Sequence, residues 1–434
     1  MIGLGAAAAG FGLMLAMMSV GLHVAFAMFA VAILAAGIYI GPAIVEAYGT
    51  QLWSGSDNFV LLAVPLFVLL GEIMVRSGMI ERTYNAIADW LAPLPGGLLH
   101  TNIGASALFA ALSGSSVATA ATIATVALPE FKRKSYDQRL VLGTIAAGAT
   151  LGILIPPSIN MIIYGAMTNT SVGRLYAAGI IPGILLTVLF MVVVAAVCLW
   201  RPSLTGSSEV RGSRSERLRR LLDLVPPLIV FVVVMGSIYA GWATATESAA
   251  VGVLIALLLA AMYRSLSINM LHECFLTTIN VTAMITLIVL AASYLNFVLG
   301  ILGIPQTLSN TVAKLGTDPI VFLWALFVFY LILGCFMETL SMMIGTIPVV
   351  FPLVVALGID PVWFGIFLVV MCELSLITPP VGMNLYVVQG VRREGSINEV
   401  IVGTLPFLFM MILLVALLVY FPELALWLPN KLFQ

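Results

Sequence analysis

Long apolar segments separated by short polar ones follow one another along almost the whole chain. Ten of them come close to or exceed the roughly 18 residues with which an α-helix crosses a bilayer. Continuous apolarity over that length, without the alternation of a half-buried strand, predicts membrane-spanning helices. The predicted spans lie near residues 3–20, 24–47, 59–75, 139–168, 175–200, 224–241, 247–263, 275–302, 361–391 and 399–420. The pattern predicts an all-α polytopic membrane protein with about ten transmembrane helices.

Two further apolar stretches, 98–131 and 318–357, are too long for one helix and are interrupted midway by small or polar residues. The interruptions are Ser113–Ser116 in the first stretch and Gly334–Thr339 in the second. Each stretch is interpreted as a re-entrant helical hairpin, which enters and leaves the membrane on the same side.

The two halves of the chain repeat one another. Ser115–Pro157 aligns with Glu338–Pro380 without a gap, at a constant offset of 223 residues. The equivalent residues include Pro129 and Pro352, Asp137 and Asp360, Pro156-Pro157 and Pro379-Pro380, and, after one inserted residue, Asn160 and Asn384. A proline removes a backbone donor and interrupts a helix, so the proline pairs predict broken helices at 139–168 and 361–391. Broken helices at matching positions of two repeats indicate the binding site of a transporter.

The positively charged residues support this topology. With hairpins that do not cross the membrane, fifteen basic residues fall on one side and only Arg174, Lys314 and Lys431 on the other. Basic loops are cytoplasmic, so both termini are predicted to lie on the opposite face. Equivalent residues of the two repeats are then separated by five membrane crossings. Because five is an odd number, the two repeats have opposite orientations in the membrane. The predicted organisation is a first repeat at 1–200, a cytoplasmic linker at 201–223 and a second repeat at 224–434.

Three segments between the spans have polar character. The linker 201–223 is rich in Ser, Arg and Glu, and its favoured interpretation is a solvated connection, with a regulatory loop as the alternative. Glu81–Leu91 and Gln306–Leu315 are weakly amphipathic and sit at equivalent places in the repeats. We interpret them as interfacial arm helices that brace the hairpins.

Composition excludes several other classes. The chain is 62% hydrophobic and 9% charged, and no basic patch suggests nucleic acid. Its four cysteines lack a C-x-x-C motif and are interpreted as small hydrophobic residues rather than as disulfides or metal ligands. A membrane-embedded hydrolase using Ser115 or Ser116 would need a base, but the three histidines lie near the ends of spans. No cofactor is predicted.

The candidate chemistry lies at the four helix interruptions. Backbone carbonyls freed there, together with Ser and Thr hydroxyls, can form an oxygen cage for a small hard cation such as Na⁺. Free N–H groups at the starts of half-helices suit a substrate carboxylate.

Three acidic residues near helix ends have separate interpretations. Glu338 aligns with Ser115 at the second hairpin tip, where a structural or ion-adjacent role is favoured over an outward-facing carboxylate. For Glu373, a functional intramembrane acid and a neutral acid bonded to a helix end remain equally open. Glu247 follows Thr244 and is predicted to take part in capping a helix start.

Motifs along essentially the whole chain carry a family resemblance. They are Ser113–Thr119, Pro129, Tyr136-Asp137, Gly152, Ile155–Ser158, Gly179–Gly183, Thr244–Glu247, Gly334–Glu338, Phe364-Gly365 and Leu376–Leu385. Together they resemble the large membrane subunit of tripartite ATP-independent periplasmic (TRAP) transporters.

The resemblance implies an elevator-type secondary transporter of the bacterial inner membrane, driven by a Na⁺ gradient. It also implies two partners, a small membrane subunit of about four helices and a soluble periplasmic receptor that delivers an organic acid. Two Na⁺ sites are implied near the hairpin tips and the adjoining broken helices, close to Ser113, Ser115, Ser116, Gly334, Thr339 and Thr378. The full set of candidate substrate- and ion-binding residues is Ser113, Gly114, Ser115, Ser116, Thr119, Pro156, Pro157, Ser158, Asn160, Gly334, Glu338, Thr339, Thr378, Pro379, Pro380 and Asn384.

A stand-alone ion-coupled organic anion carrier, without receptor or small subunit, remains the alternative. Composition does not separate it from a TRAP subunit, although the motifs favour the latter. The family carries mostly carboxylates, and no residue of this chain indicates which one.

Overall fold

The computed structural model describes residues 4–41, 44, 47–134, 136–206, 214–316 and 318–433. Regular secondary structure within these ranges is entirely helical, which confirms the predicted all-α class. Residues 207–213 of the predicted linker, and residues 42, 43, 45 and 46 of the predicted span 24–47, lie outside the described residues.

The described α-helices are numbered here in chain order. They are α1 (Leu4–Ser19), α2 (Val24–Tyr39), α3 (Tyr48–Ser56), α4 (Ala63–Arg76), α5 (Met79–Leu91), α6 (Leu98–Ser113), α7 (Ser116–Arg133), α8 (Gln138–Leu154), α9 (Ile159–Thr168), α10 (Val172–Trp200), α11 (Arg214–Arg220), α12 (Val225–Tyr239), α13 (Ala245–Met262), α14 (Ile268–Ile301), α15 (Ile304–Leu315), α16 (Pro319–Gly334), α17 (Thr339–Ala356), α18 (Pro361–Ile377), α19 (Met383–Arg392), α20 (Ile397–Tyr420) and α21 (Glu423–Leu432). Short 3₁₀ turns occur at Phe59–Leu62, Pro202–Leu204 and Leu221–Leu224.

Eight helical stretches among the described residues are long and apolar enough to cross a membrane. They are Phe59–Arg76, Gln138–Thr168, Val172–Trp200, Ser215–Tyr239, Ala245–Met262, Ile268–Ile301, Thr339–Ala356 and Ile397–Tyr420. Shorter apolar helices accompany them at Gly5–Ser19, Val24–Tyr39, Leu98–Ser113, Pro319–Gly334 and Pro361–Ile377. The polytopic character predicted from hydropathy is therefore confirmed.

The structure departs from the sequence prediction near Gly41 and at the C-terminal end of the described chain. The span predicted at 24–47 ends as a helix at Tyr39, and a separate helix begins at Tyr48. Gly41 has φ of 112°, a conformation that favours glycine and that cannot continue an α-helix. The C-terminal helix α21 was not predicted, and it packs against α10.

Both predicted hairpins are helix–turn–helix units. In the first, α6 and α7 contact each other around a turn at Gly114 and Ser115. In the second, α16 and α17 are joined by residues 335–338. The two predicted arm segments are helical as well, and α5 packs on α6 while α15 packs on α17.

The broken helices form the most buried part of the molecule. Every residue from Leu140 to Leu154 on α8 is buried, and so is every residue of α18 from Val362 to Ile377. Helix α8 packs against α6, α7, α18 and α20, so both repeats enclose it. An interrupted backbone inside a membrane must be shielded from lipid, because its unpaired polar groups find no water there. The packing supplies that shield.

Equivalent residues of the two repeats begin equivalent helices. Asp137 accepts a hydrogen bond from the N–H of Leu140 at 3.0 Å, and Asp360 accepts one from the N–H of Val362 at 2.7 Å. Both aspartates precede a broken helix, where a side-chain oxygen compensates a donor that has no intrahelical partner. The inverted orientation of the repeats and their limits at 200 and 224 stay predictions.

Candidate ion and solute site

The first hairpin tip is a compact polar turn. Helix α6 ends at Ser113, Gly114 takes a left-handed conformation with φ of 59°, and Ser115 caps α7 by accepting from the N–H of Ala118 at 3.4 Å. The Thr119 hydroxyl donates to the Ser115 carbonyl at 2.7 Å and lies 3.2 Å from the hydroxyl oxygen of Ser113. Three oxygens, the hydroxyls of Ser113 and Thr119 and the carbonyl of Ser115, therefore lie close together at the tip.

This tip rests directly on the first broken helix. The Ser116 hydroxyl donates to the Thr150 carbonyl at 3.2 Å. A β-carbon placed on Gly152 would lie 2.7 Å from the Ser116 nitrogen, and one on Gly114 would lie 2.9 Å from the Pro157 carbonyl oxygen. The glycines thus allow a backbone-to-backbone approach that any side chain would prevent.

The proline pair leaves backbone acceptors without donors at this point. The Ile153 carbonyl would be bonded by the residue three or four positions later, but those residues are Pro156 and Pro157, which have no N–H. Beyond the pair, Ser158 caps α9 by accepting from the N–H of Met161 at 3.5 Å. Asn160 is buried, and its side-chain nitrogen has no hydrogen-bond partner among the described residues.

The second hairpin tip is organised by a carboxylate. Glu338 accepts from the N–H groups of Leu340 and Ser341 at 3.1 Å each, and from the hydroxyls of Thr339 at 3.1 Å and Ser341 at 3.2 Å. It therefore caps α17 as Ser115 caps α7. All four bonds stay within the tip, which is a structural role, and the ion-adjacent role of Glu338 stays a prediction.

Helix α18 receives this second tip. A β-carbon on Gly334 would lie 2.5 Å from the β-carbon of Ser375, and the thiol of Cys372 donates to the Thr339 carbonyl at 3.6 Å. Sequence reasoning did not select Ser375 or Cys372. Ser375 aligns with Gly152 at the repeat offset, and that alignment was the signal that could have identified it.

The second break repeats the first with different side chains. In a continuous helix the Leu376 carbonyl would accept from the N–H three or four residues later. Those residues are Pro379 and Pro380, which have no N–H. Thr378 donates its hydroxyl to the Leu374 carbonyl at 2.6 Å. Gly382, the N-cap residue just before α19, has φ of 45°, a conformation that favours glycine. In both breaks the bond between the two prolines is cis.

Asn384 connects the two repeats. Its side-chain nitrogen donates to the Ala146 carbonyl on α8 at 3.2 Å, and its side-chain oxygen has no partner in the described part of the chain. Helix α19 also packs on α7, and α18 packs on α8. Each tip therefore lies on its own broken helix, and the broken helices pack on one another.

A network of polar side chains that are not among the predicted site residues supports the first hairpin. The Tyr84 hydroxyl on arm helix α5 donates to Asn102 at 2.8 Å, and Asn102 donates to the Thr144 hydroxyl at 3.0 Å. Burial raises the pKa of Tyr84 well above its usual value, so this hydroxyl stays protonated and able to donate. The network joins arm helix α5, hairpin helix α6 and broken helix α8. In the sequence, the feature that could have indicated it is Asn102, an asparagine within an apolar stretch.

The site suits hard cations better than transition metals. No group of three His, Cys, Asp or Glu side chains that could hold a metal ion occurs in the described ranges. The polar atoms of the tips and breaks are mainly carbonyl and hydroxyl oxygens, supplemented by the amides of Asn160 and Asn384, the Cys372 thiol and one carboxylate that is already bonded. Such ligands favour alkali or alkaline-earth cations.

The paired breaks within an all-helical membrane protein define a class, that of membrane transporters. The fold is similar to the crystal structure of the YdaH transporter of Alcanivorax borkumensis, with a TM-score of 0.63, coverage of 89% of both chains and 16% sequence identity. At that identity the likeness concerns the fold alone.

The chain belongs to the family of the DctM component of tripartite ATP-independent periplasmic transporters, whose model matches residues 11–424. It is 35% identical over 422 residues to the sialic acid TRAP transporter large permease protein SiaM of Vibrio cholerae, covering 96% of each chain. It is also 35% identical over 396 residues to the C4-dicarboxylate TRAP transporter large permease protein DctM of Pseudomonas aeruginosa, covering 91% of this chain and 92% of the relative. The family resemblance read from the motifs is confirmed, and these relatives are permeases rather than enzymes.

Proposed function

We propose that this chain is the large subunit of a Na⁺-driven TRAP transporter that takes up a small organic acid delivered by a periplasmic receptor. The observation that carries the proposal is the pairing of each hairpin tip with a proline-broken helix. Ser116 bonds the carbonyl of Thr150 in the first repeat, and Gly334 packs on Ser375 in the second.

Sodium fits the atoms available at these pairs. The first would use oxygens near Ser113, Ser115 and Ser116, and the second would use oxygens near Gly334, Thr339 and Thr378. A proton-driven carrier needs a relay of ionisable groups, whereas these positions bear hydroxyls and carbonyls. Hydroxyl and carbonyl oxygens of this kind favour a hard monovalent cation, and the one carboxylate beside them, Glu338, is already bonded within the second tip.

A carboxylate fits the starts of the half-helices. Helices α7, α9 and α19 begin next to the breaks, where free N–H groups and the positive end of the helix dipole attract an anion. The names of the two relatives describe transport of sialic acid and of C4-dicarboxylates, which are both organic acids. The substrate class proposed here is therefore a small carboxylate.

In this proposal the two hairpins and the two broken helices move together as one unit. The hairpins and broken helices of both repeats contribute to the site, so they must travel together to retain the ligands. Helices such as α12 and α13, with the small subunit, would form the static part. The arm helices α5 and α15 would link the two parts of this elevator.

The proposed location is the bacterial inner membrane, with the basic loops on the cytoplasmic side and both termini in the periplasm. The family match favours a receptor-dependent transporter over the stand-alone carrier, since both relatives are named as TRAP permeases.

The test is uptake into proteoliposomes that contain this chain with its small subunit and receptor. An inward Na⁺ gradient should drive accumulation of a carboxylate that binds the receptor, identified by thermal-shift screening of that receptor. Uptake should stop when Na⁺ is equal on both sides.

Two controls separate the parts of the proposal. Equal uptake from a pH gradient alone in Na⁺-free buffer would disprove sodium coupling. Full uptake without receptor or small subunit would identify the stand-alone carrier instead.

A further inference from the structure

An apolar cavity lies beside the second hairpin and contains none of the candidate ion- and solute-binding residues among its described lining. Its volume is about 380 Å³. The walls come from α1, α2 and α14, from the arm helix α15, and from both helices of the hairpin, α16 and α17. The cavity therefore separates the second hairpin from the first two helices of the chain.

The described walls of this cavity offer no free polar group in the interior. Thr346 is polar, but its hydroxyl donates to the Met342 carbonyl at 2.8 Å and lies 2.9 Å from the Tyr330 hydroxyl. The other polar lining residue, Tyr39, is 53% exposed, and the rest of the described lining is apolar or glycine. An engineered apolar cavity of only about 150 Å³ stays dry and binds benzene instead of water. A hydrocarbon is therefore the class of ligand that fits here.

The cavity opens onto an apolar outer surface. Two of its lining residues, Ala8 on α1 and Tyr39 at the end of α2, are exposed. On the same two helices Leu13 and Ile38 are also exposed. Both helices are apolar along their whole length, and the hydrocarbon of the bilayer surrounds such helices in a membrane protein. The mouth of the cavity is thus continuous with the surface that faces lipid.

The walls are too close together to admit a helix of another subunit. Helix α1 contacts both α2 and α15, and the ring of Phe11 on α1 lies 6.1 Å from the ring of Phe329 on α16, centroid to centroid. An α-helix with its side chains is about 10 Å wide, whereas a single hydrocarbon chain is much narrower. An empty cavity would forfeit the dispersion contacts of its walls, so a narrow apolar chain is favoured over a void.

We propose that one acyl chain of a membrane phospholipid occupies this cavity, with its headgroup beside Tyr39. Tyrosine is enriched at the level of the headgroups, where its ring faces hydrocarbon and its hydroxyl faces water. The acyl chain fills the space between the second hairpin and helices α1, α2 and α14. This lipid site goes beyond the proposed transport function, because it requires only that these helices lie in a bilayer.

Photo-crosslinking of the full chain tests the site. The protein is reconstituted in vesicles of phosphatidylethanolamine and phosphatidylglycerol that include a phosphatidylethanolamine with a photoreactive diazirine in its acyl chain. After illumination, mass spectrometry identifies the residues that carry lipid. Val350 and Ile304 line the cavity and are buried, so lipid on the outer surface does not reach them. Both should be labelled, together with Val188 on α10, which is exposed and reports ordinary surrounding lipid.

A matched pair of variants on α1 links the labelling to the cavity. Ala7 lines the cavity, so Ala7→Phe places a ring inside it. Ala9 is exposed on the same helix and is not part of the lining, which makes Ala9→Phe the control. Labelling of Val350 and Ile304 should be lost in Ala7→Phe and retained in Ala9→Phe. Labelling of Val188 should be equal in both variants and in the wild type.

Three results would overturn the proposal. The first is labelling of Val188 in the wild type without labelling of Val350 or Ile304, a comparison that still decides if Ala7→Phe does not fold. The second is labelling of the two buried residues that survives in Ala7→Phe. The third is loss of that labelling when the small subunit is reconstituted with the chain, which would show that this subunit, rather than lipid, fills the cavity.

Discussion

The Ser116 hydroxyl donates a hydrogen bond of 3.2 Å to the Thr150 carbonyl, and this bond attaches the first hairpin tip to the first broken helix. Both residues are buried. The contact therefore links the turn that carries Ser113 and Ser115 to the helix that carries the proline pair.

Removal of this hydroxyl should weaken transport more than folding. In Ser116→Ala the Thr150 carbonyl loses a donor, at a cost of about 1 kcal/mol, which corresponds to roughly a fivefold loss of initial uptake rate. Thr125→Ala is the matched control, because Thr125 is an exposed residue of the same helix whose hydroxyl bonds only the Ala121 carbonyl. Similar uptake in the two variants would show that the Ser116 bond has no role in transport.

The hairpin tips should not tolerate bulky apolar side chains. Ser115→Leu or Thr339→Leu removes a hydroxyl oxygen and fills the space beside the break, so uptake should fall by about 10²-fold. Association with the small subunit, measured by co-purification, should persist. Near-normal uptake in both variants would mean that the interruptions serve only close packing.

Gly152 should be irreplaceable even by alanine. The new β-carbon would lie 2.7 Å from the Ser116 nitrogen, and backbone atoms cannot move aside as a flexible side chain does. We expect Gly152→Ala to destabilise the protein by about 1–3 kcal/mol, measured as a lower melting temperature in detergent. In the control, Gly236→Ala on α12, nothing lies within 4 Å of the new atom, and stability should be unchanged or higher.

The linker between the repeats should contribute to stability, because part of it is docked. Arg220 forms a 2.6 Å ion pair with Asp89, whose side chain is only 3% exposed, and Arg217 lies 5.1 Å from the ring centroid of Trp90. Helix α11 contacts arm helix α5, while Ser215, Glu216, Leu218 and Arg219 stay exposed, and the solvated linker stays a prediction.

Replacing only Arg220 of this ion pair should destabilise the protein more than replacing both Arg220 and Asp89. Arg220→Gln leaves the buried Asp89 carboxylate unpaired and should cost about 1–3 kcal/mol. The double variant with Asp89→Asn should recover part of the loss, as measured by thermal melting in a double-mutant cycle. Additive losses would show that the two side chains do not interact.

The elevator proposal predicts that a crosslink between moving and static parts abolishes transport. Ala105 and Leu112 on α6 line the same cavity as Pro227 on α12, so a cysteine pair between Ala105–Leu112 and Leu224–Tyr239 is within reach. The pair requires a background in which Cys198, Cys274, Cys335 and Cys372 are replaced. Oxidation should stop uptake, and reduction should restore it.

A crosslink between α6 and α7 is the matched control, because both helices belong to one hairpin and should move together. It should leave uptake intact. Full activity with a verified crosslink from α6 to α12 would rule out the elevator and leave local gating of the tips.

The sequence by itself determined the class, most of the apolar helices, the four interruptions and the family. These features are local: apolarity over a bilayer's thickness dictates a span, and a proline pair dictates a break wherever it occurs. The constant offset between Ser115 and Glu338 then revealed the repeat. The capping roles of Ser115, Asp137 and Glu338 follow from the same local rules.

The tertiary structure alone decided which helices meet. These helices are apolar on all sides, so their sequences do not show which face packs on which neighbour, unlike an amphipathic helix whose apolar stripe identifies its buried side. The bond from Asn384 to Ala146 and the docking of Arg220 on Asp89 join residues 238 and 131 positions apart. Contacts at such separations depend on how distant parts of the chain assemble.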